Sequence, residues 1–178
     1  MPLPTPPVKK DNCFDAYKPL KKGKRKKPRK LAAQVQTLSQ AKAVLPLVDI
    51  LYIPIDAKWA VELKQMQKEG SPQLIGVHPL ISHEGEQTGF DASLFDGELF
   101  GTLTKTNAEH KISDASLHVT NGETLKTLRS LGFERATVSV ELNAAQITDL
   151  PDVMPTEMIA YGRLTLMTTC LLYTSRCV

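Results

Sequence analysis

The sequence predicts an incomplete parallel (β/α) barrel of the TIM type behind a disordered basic linker, and three observations predict it. Short apolar strands alternate with capped helices from Leu31 onward, the alternation that goes with a parallel sheet. Between Glu134 and Arg163 the chain reads strand, helix, strand: ERATVSV, ELNAAQITDLP, then DVMPTEMIAYGR. Residues 31 to 169 also fall well short of the ~250 that a closed eight-fold barrel usually takes. A small open α/β sheet is the alternative that fits the same pattern.

Residues 1 to 30 come first. They hold six prolines and 11 of the 22 Lys and Arg residues of the chain, against only Asp11 and Asp15. That composition buries too little apolar surface to offset the entropy of ordering it, so a flexible linker is expected. Its run Lys21, Lys22, Lys24, Arg25, Lys26, Lys27, Arg29 and Lys30 suits phosphate contact with RNA through counterion release. A solvated interdomain connector accounts for the same run. The segment is +9 and the remainder −6, so the formal charge of +3 describes the linker rather than the domain.

The domain then unrolls in order. LAAQVQT is a strand, and Thr37 with Gln40 forms a capping box before a helix that stops near Pro46. VDILYIPI is a buried strand. Asp56 caps AKWAVELKQMQKEG, with Trp59, Leu63 and Met66 on one face and Gly70 at its C-terminus. PQLIGVHPL is the third strand. Ile81 to Lys111 is irregular, with HEGEQTGF as loop and DASLFDGELFGTL weakly helical at best. ISDASLHV is the next strand, and Thr120 with Glu123 is a capping box ahead of Leu125, Leu128 and Leu131, with Gly132 as stop. Ala136 to Val140 makes the fifth strand. Asn143 with Gln146 starts the following helix, Pro151 and Pro155 close it, and Met158 to Ala160 is the sixth strand.

Composition excludes several classes. With 42% apolar and 23% charged residues the chain is globular, and no stretch reaches the ~18 continuous apolar residues of a membrane span. MPLPTPPVKK lacks the apolar core of a signal peptide, so a cytoplasmic protein without membrane partners is expected. Cys13, Cys170 and Cys177 make neither a disulfide framework nor a metal site. No GxSxG is present, which withholds support from serine hydrolase chemistry.

GFERATVSVELNAAQI and MIAYGRLTLMTT resemble the collagenase-like peptidase family, number thirty-two among peptidases of unknown catalytic type. LHVTNGETLKTLRSLGF resembles the run that precedes its acidic step. The likeness is specific from Leu117 to Met167. It implies a βα-barrel enzyme identified as a protease or collagenase, some of whose relatives hydroxylate RNA or ubiquinone through an iron-sulfur cluster held by cysteines. It also implies that this region sits beside an upstream catalytic barrel of a longer protein. Residue by residue, Glu141 matches the acidic step and Tyr161, Gly162 and Arg163 the YGR element, while Thr165 replaces a common proline. The cluster cysteines belong at and beyond Cys170, where CLLYTS resembles a translated sequencing adapter. Residues 170 to 178 are therefore set aside as a non-native tail, and no cofactor is expected in this fragment itself.

Glu141, Tyr161 and Arg163 are the candidate catalytic residues, since strand C-termini build the functional face of parallel barrels. Glu141 is either an acid or base or a carboxylate at a helix N-terminus. Arg163 is either an anchor for carboxylate or phosphate or a surface ion-pair partner. Tyr161 either presents its hydroxyl to that pocket or closes a barrel layer. His78, His118 and Asn121, near strand ends, are the substrate-binding candidates; the histidines lack a third ligand for metal, and a helix cap is the plain alternative for Asn121. The competing class to an enzyme is a non-catalytic barrel module that binds RNA or packs against a catalytic barrel.

Overall fold

The computed structural model describes residues 29–67, 70–81, 90–103 and 107–164. They form an α/β fold around one curled sheet of seven strands: β1 (Ala32–Gln34), β2 (Ile50–Pro54), β3 (Gln73–Val77), β4 (Gly97–Phe100), β5 (Lys111–Ser113), β6 (Phe133–Thr137) and β7 (Thr156–Glu157). Every neighbouring pair is parallel, and the spatial order is the sequence order. An order that never reverses offers no crevice of the doubly wound type. The sheet therefore curls in one direction, as a half-barrel.

Four helices cover the convex side: α1 (Leu38–Val44), α2 (Ala60–Met66), α3 (Gly122–Ser130) and α4 (Ala144–Asp149). Both α1 and α4 begin with complete capping boxes, Thr37 with Gln40 and Asn143 with Gln146, so two otherwise orphaned amides are bonded at each start. A 3-10 turn carrying Pro46 ends α1, because proline cannot donate to continue the ladder. Leu51, Ile53 and Leu74 of the sheet pack on Ala41, Ala60 and Leu63 of α1 and α2. Phe133, Ala136 and Val138 pack on Leu125 and Leu128 of α3 and Leu150 beyond α4. Ile50, Tyr52, Ile75, Leu99 and Ile112 form a separate buried row; in β2 they alternate with Leu51 and Ile53, which places the row on the concave face.

Several elements differ from their expected form. Gly97–Phe100 is a strand inside the stretch read as weakly helical, so the described residues hold seven strands where six were expected. ISDASLHV is not one strand: β5 stops at Ser113, and a 3-10 turn at Ala115–Leu117 follows, with Asp114 accepting from the Ser116 amide. An aspartate that bonds the backbone two residues on offers the chain a turn in place of a ladder. The cap of α3 is Asn121, which accepts from the Thr124 amide at 2.9 Å, rather than Thr120. Helix α2 starts at Ala60 behind Trp59, four residues after Asp56. Strand β6 runs from Phe133, with only a single bridge beyond it at Val138, and β7 lies at Thr156–Glu157, before Met158.

The expected linker, apart from Arg29 and Lys30, and the expected tail at 170 to 178 lie outside the described residues. Among the described residues no helix is long and apolar enough to cross a membrane.

Candidate functional site

The concave face carries a polar cluster whose placement begins with a bulge. Lys111 of β5 faces Phe133 and the next residue, Ile112, faces Arg135, so Glu134 is an extra residue in β6. A bulge re-aims the side chains that follow it. Phe133, Ala136 and Val138 consequently share the helix-covered face, and Arg135 and Thr137 turn to the concave one.

There they meet Tyr52 and Glu157. The Tyr52 hydroxyl donates to Glu157 Oε1 at 2.6 Å and accepts from the Arg135 guanidinium at 2.9 Å. Thr137 donates to the same carboxylate oxygen at 3.0 Å. Arg135 Nε lies 3.3 Å from Glu157 Oε2, an ion pair without hydrogen-bond alignment. The two charged side chains are 17% and 21% exposed, so this pair is screened far less than a surface one. Burial, and after it the Glu157 charge, raises the Tyr52 phenol well above the ordinary tyrosine range. Tyr52 is thus a neutral donor to the carboxylate at any physiological pH. The arrangement joins β2 to β6 and β7. In an eight-stranded barrel the second and sixth strands stand opposite each other, and here too side chains of β2 and β6 meet across the concave face.

On the convex side, no α-helix covers β4 among the described residues, and a cleft of about 490 Å³ opens there. His78, just past β3, reaches Glu98 of β4 with Nε2 2.5 Å from Oε2. The His78 ring stacks on Phe100, with centroids 4.3 Å apart, and meets Phe90 edge-on at 5.5 Å. His110, on the cleft rim, pairs with Glu134 at 3.0 Å, and that hydrogen bond raises the imidazole's pKa.

The expected site residues distribute as follows. His78 lines the convex cleft. His118 is exposed, in a left-handed conformation (φ 49°) at the end of its 3-10 turn. Asn121 caps α3, the plain alternative. Glu141 is exposed in the turn before α4, its amide donating to Ser139 Oγ. Tyr161 is 100% exposed, and Arg163 is exposed two residues on. No hydrogen bond or ion pair among the described residues joins Glu141, Tyr161 and Arg163. Arg29 and Lys30 are exposed at the entry to β1, and Lys21 to Lys27 lie outside the described residues.

The cluster of Tyr52, Arg135, Thr137 and Glu157 was not anticipated, and one signal for it exists. In β6 and just beyond, Arg135, Thr137 and Ser139 alternate with Ala136, Val138 and Val140. A strand expected to be buried on both faces reads as continuously apolar, so this alternation marks a polar inner face.

No family model, no curated protein and no solved structure matches the chain. An iron-sulfur cluster, which the resemblance implies for a longer parent, needs several thiolates at one place. The described residues contain no cysteine, and among them no group of three metal-ligating side chains stands together. The donors among the described residues do not fit such a cluster.

Proposed function

We propose that this chain is a barrel module of a collagenase-like peptidase family protein and that it contributes RNA binding rather than bond cleavage. The observation that carries this reading is the state of the concave face. Its carboxylate, Glu157, already takes bonds from Tyr52 and Thr137 and pairs with Arg135. A carboxylate whose oxygens are both engaged by neighbouring side chains is not presented to a substrate's proton as a general base must be. The parent protein carries out the reaction, either proteolysis or, in better agreement with a basic segment, hydroxylation of RNA. Glu141, Tyr161 and Arg163, exposed on the loops after β6 and β7, face that parent's substrate or its catalytic barrel. The run Lys21 to Lys30 supplies phosphate contacts.

Fluorescence anisotropy on a labelled single-stranded RNA, titrated with the full chain at several salt concentrations, tests this. On single strands the slope of log affinity against log salt is about −0.7 per phosphate neutralised. The expected result is a clear negative slope that flattens when Lys21, Lys22, Lys24, Arg25, Lys26, Lys27, Arg29 and Lys30 are replaced by Gln. Unchanged RNA binding in that variant, or none in the parent chain, refutes the reading.

A further inference from the structure

We propose that the cleft over β4 is a binding site for a small organic cation, whose ammonium or amidinium group is held by Glu98 and whose apolar body rests on Phe90 and Phe95. This inference stands on the cleft alone and is independent of RNA binding.

The first observation is where Glu98 sits. It is 8% exposed, in the middle of a sheet on the side where helices pack elsewhere. An ionised carboxylate in such a place is costly unless every lone pair finds a donor. Oε2 has one, the imidazole of His78, and Oε1, bonded by no described side chain, is not sealed in the core but opens on the cleft. The stacking of His78 on Phe100 holds the ring against Oε2. Glu98 lines the cleft, so a ligand there can complete its bonding.

The second observation is the balance of charge around it. Asp96 is already occupied by Lys64 at 3.0 Å and by the Leu74 amide at 2.9 Å, and His110 by Glu134. Glu109 adds a further exposed carboxylate to the lining. Among the described lining residues the uncommitted charge is negative, which favours a cation and repels phosphate or carboxylate. The third is the wall. Phe90, Phe95, Ala92 and Ala108 supply apolar surface, and the volume falls in the range of small-molecule sites. Apolar walls around one buried carboxylate favour an organic cation over a hydrated metal ion, which needs several oxygen ligands.

Benzamidine is the probe, with benzamide and benzoate as neutral and anionic counterparts, followed through amide chemical shifts in the full chain. The expected result is saturable shifts at Gly97, Glu98 and His110 with benzamidine and none with the other two. Glu98→Gln weakens binding at least tenfold, and Ala92→Phe, placed at an exposed position on the cleft wall, blocks it. Glu123→Gln, on the outer surface of α3, leaves it unchanged. Should Glu98→Gln unfold, Ala92→Phe decides alone. Absent or non-saturable shifts, equal binding of benzamide, or benzamidine binding retained in Ala92→Phe or in folded Glu98→Gln overturns the proposal.

Discussion

Replacing Tyr52 by Phe removes one oxygen from the concave face and tests whether the cluster there holds the half-barrel together. That oxygen serves two charged partners, donating to Glu157 at 2.6 Å and accepting from Arg135 at 2.9 Å. A hydrogen bond to a charged group contributes about 1.5–3 kcal/mol. Glu157 keeps its bond from Thr137 and its pairing with Arg135, which limits the loss. Tyr52→Phe should therefore cost about 2 kcal/mol, or roughly 4–8 °C in Tm for a chain of this size. Urea unfolding followed by circular dichroism measures it, with the dependence on denaturant unchanged. Tyr161→Phe is the control, since Tyr161 is fully exposed and should change stability by less than about 0.5 kcal/mol. The phenol also predicts an alkaline limit. Its folded pKa is raised, so above about pH 10 the unfolded chain loses the proton that the folded chain keeps. Stability should then fall with rising pH by up to about 1.4 kcal/mol per unit, and Tyr52→Phe should abolish that slope. A Tyr52→Phe variant as stable as the parent at neutral pH, with the same alkaline slope, would refute the role given to the cluster.

Two other predictions concern separate parts of the fold. A Cβ on Gly76 would stand 3.0 Å from Ile55 Cγ1 and 3.1 Å from Phe95 Cγ, so Gly76→Ala should destabilise by about 1–3 kcal/mol through overpacking, as read by thermal melting; a neutral result would mean that this core gives way freely. The His110 imidazole is held above its ordinary pKa by its hydrogen bond to Glu134, and NMR titration should show its midpoint falling in Glu134→Gln. By linkage the pair's contribution to stability is complete below the unfolded histidine value and disappears as pH rises through the raised one.

What the sequence revealed depended on whether the signal was local. The capping boxes at Thr37 and Asn143 were legible because all their partners lie within three residues. Strands β2 and β3 were legible because ILYIP and QLIGV are apolar on both faces. Strand β4 was missed for the opposite reason: GELF is four residues long, follows Asp96, and puts a carboxylate at its second position. The pairing that makes it a strand comes from β3 and β5. At Thr120 and Asn121 the pattern offered two adjacent caps, and backbone geometry selected the second. The concave cluster was out of reach as a set, because Tyr52 lies 83 and 105 residues from Arg135 and Glu157. The residue that brings Arg135 into line is the bulged Glu134, and nothing in its identity announces a bulge.

The span between Tyr52 and Glu157 also sets an order of events during synthesis. A ribosome adds about 5–20 residues per second, so the 105 residues between them take roughly 5 to 20 s to make. Strands β1 to β3 and helices α1 and α2 can pack within that time, since their contacts are near neighbours. Throughout it, the inner side of β2 and β3, with Ile50, Tyr52 and Ile75, lacks the strands that will face it. The nascent half-barrel thus passes through a stage with one finished side and one wet apolar side, and that interval is where a chaperone would find it.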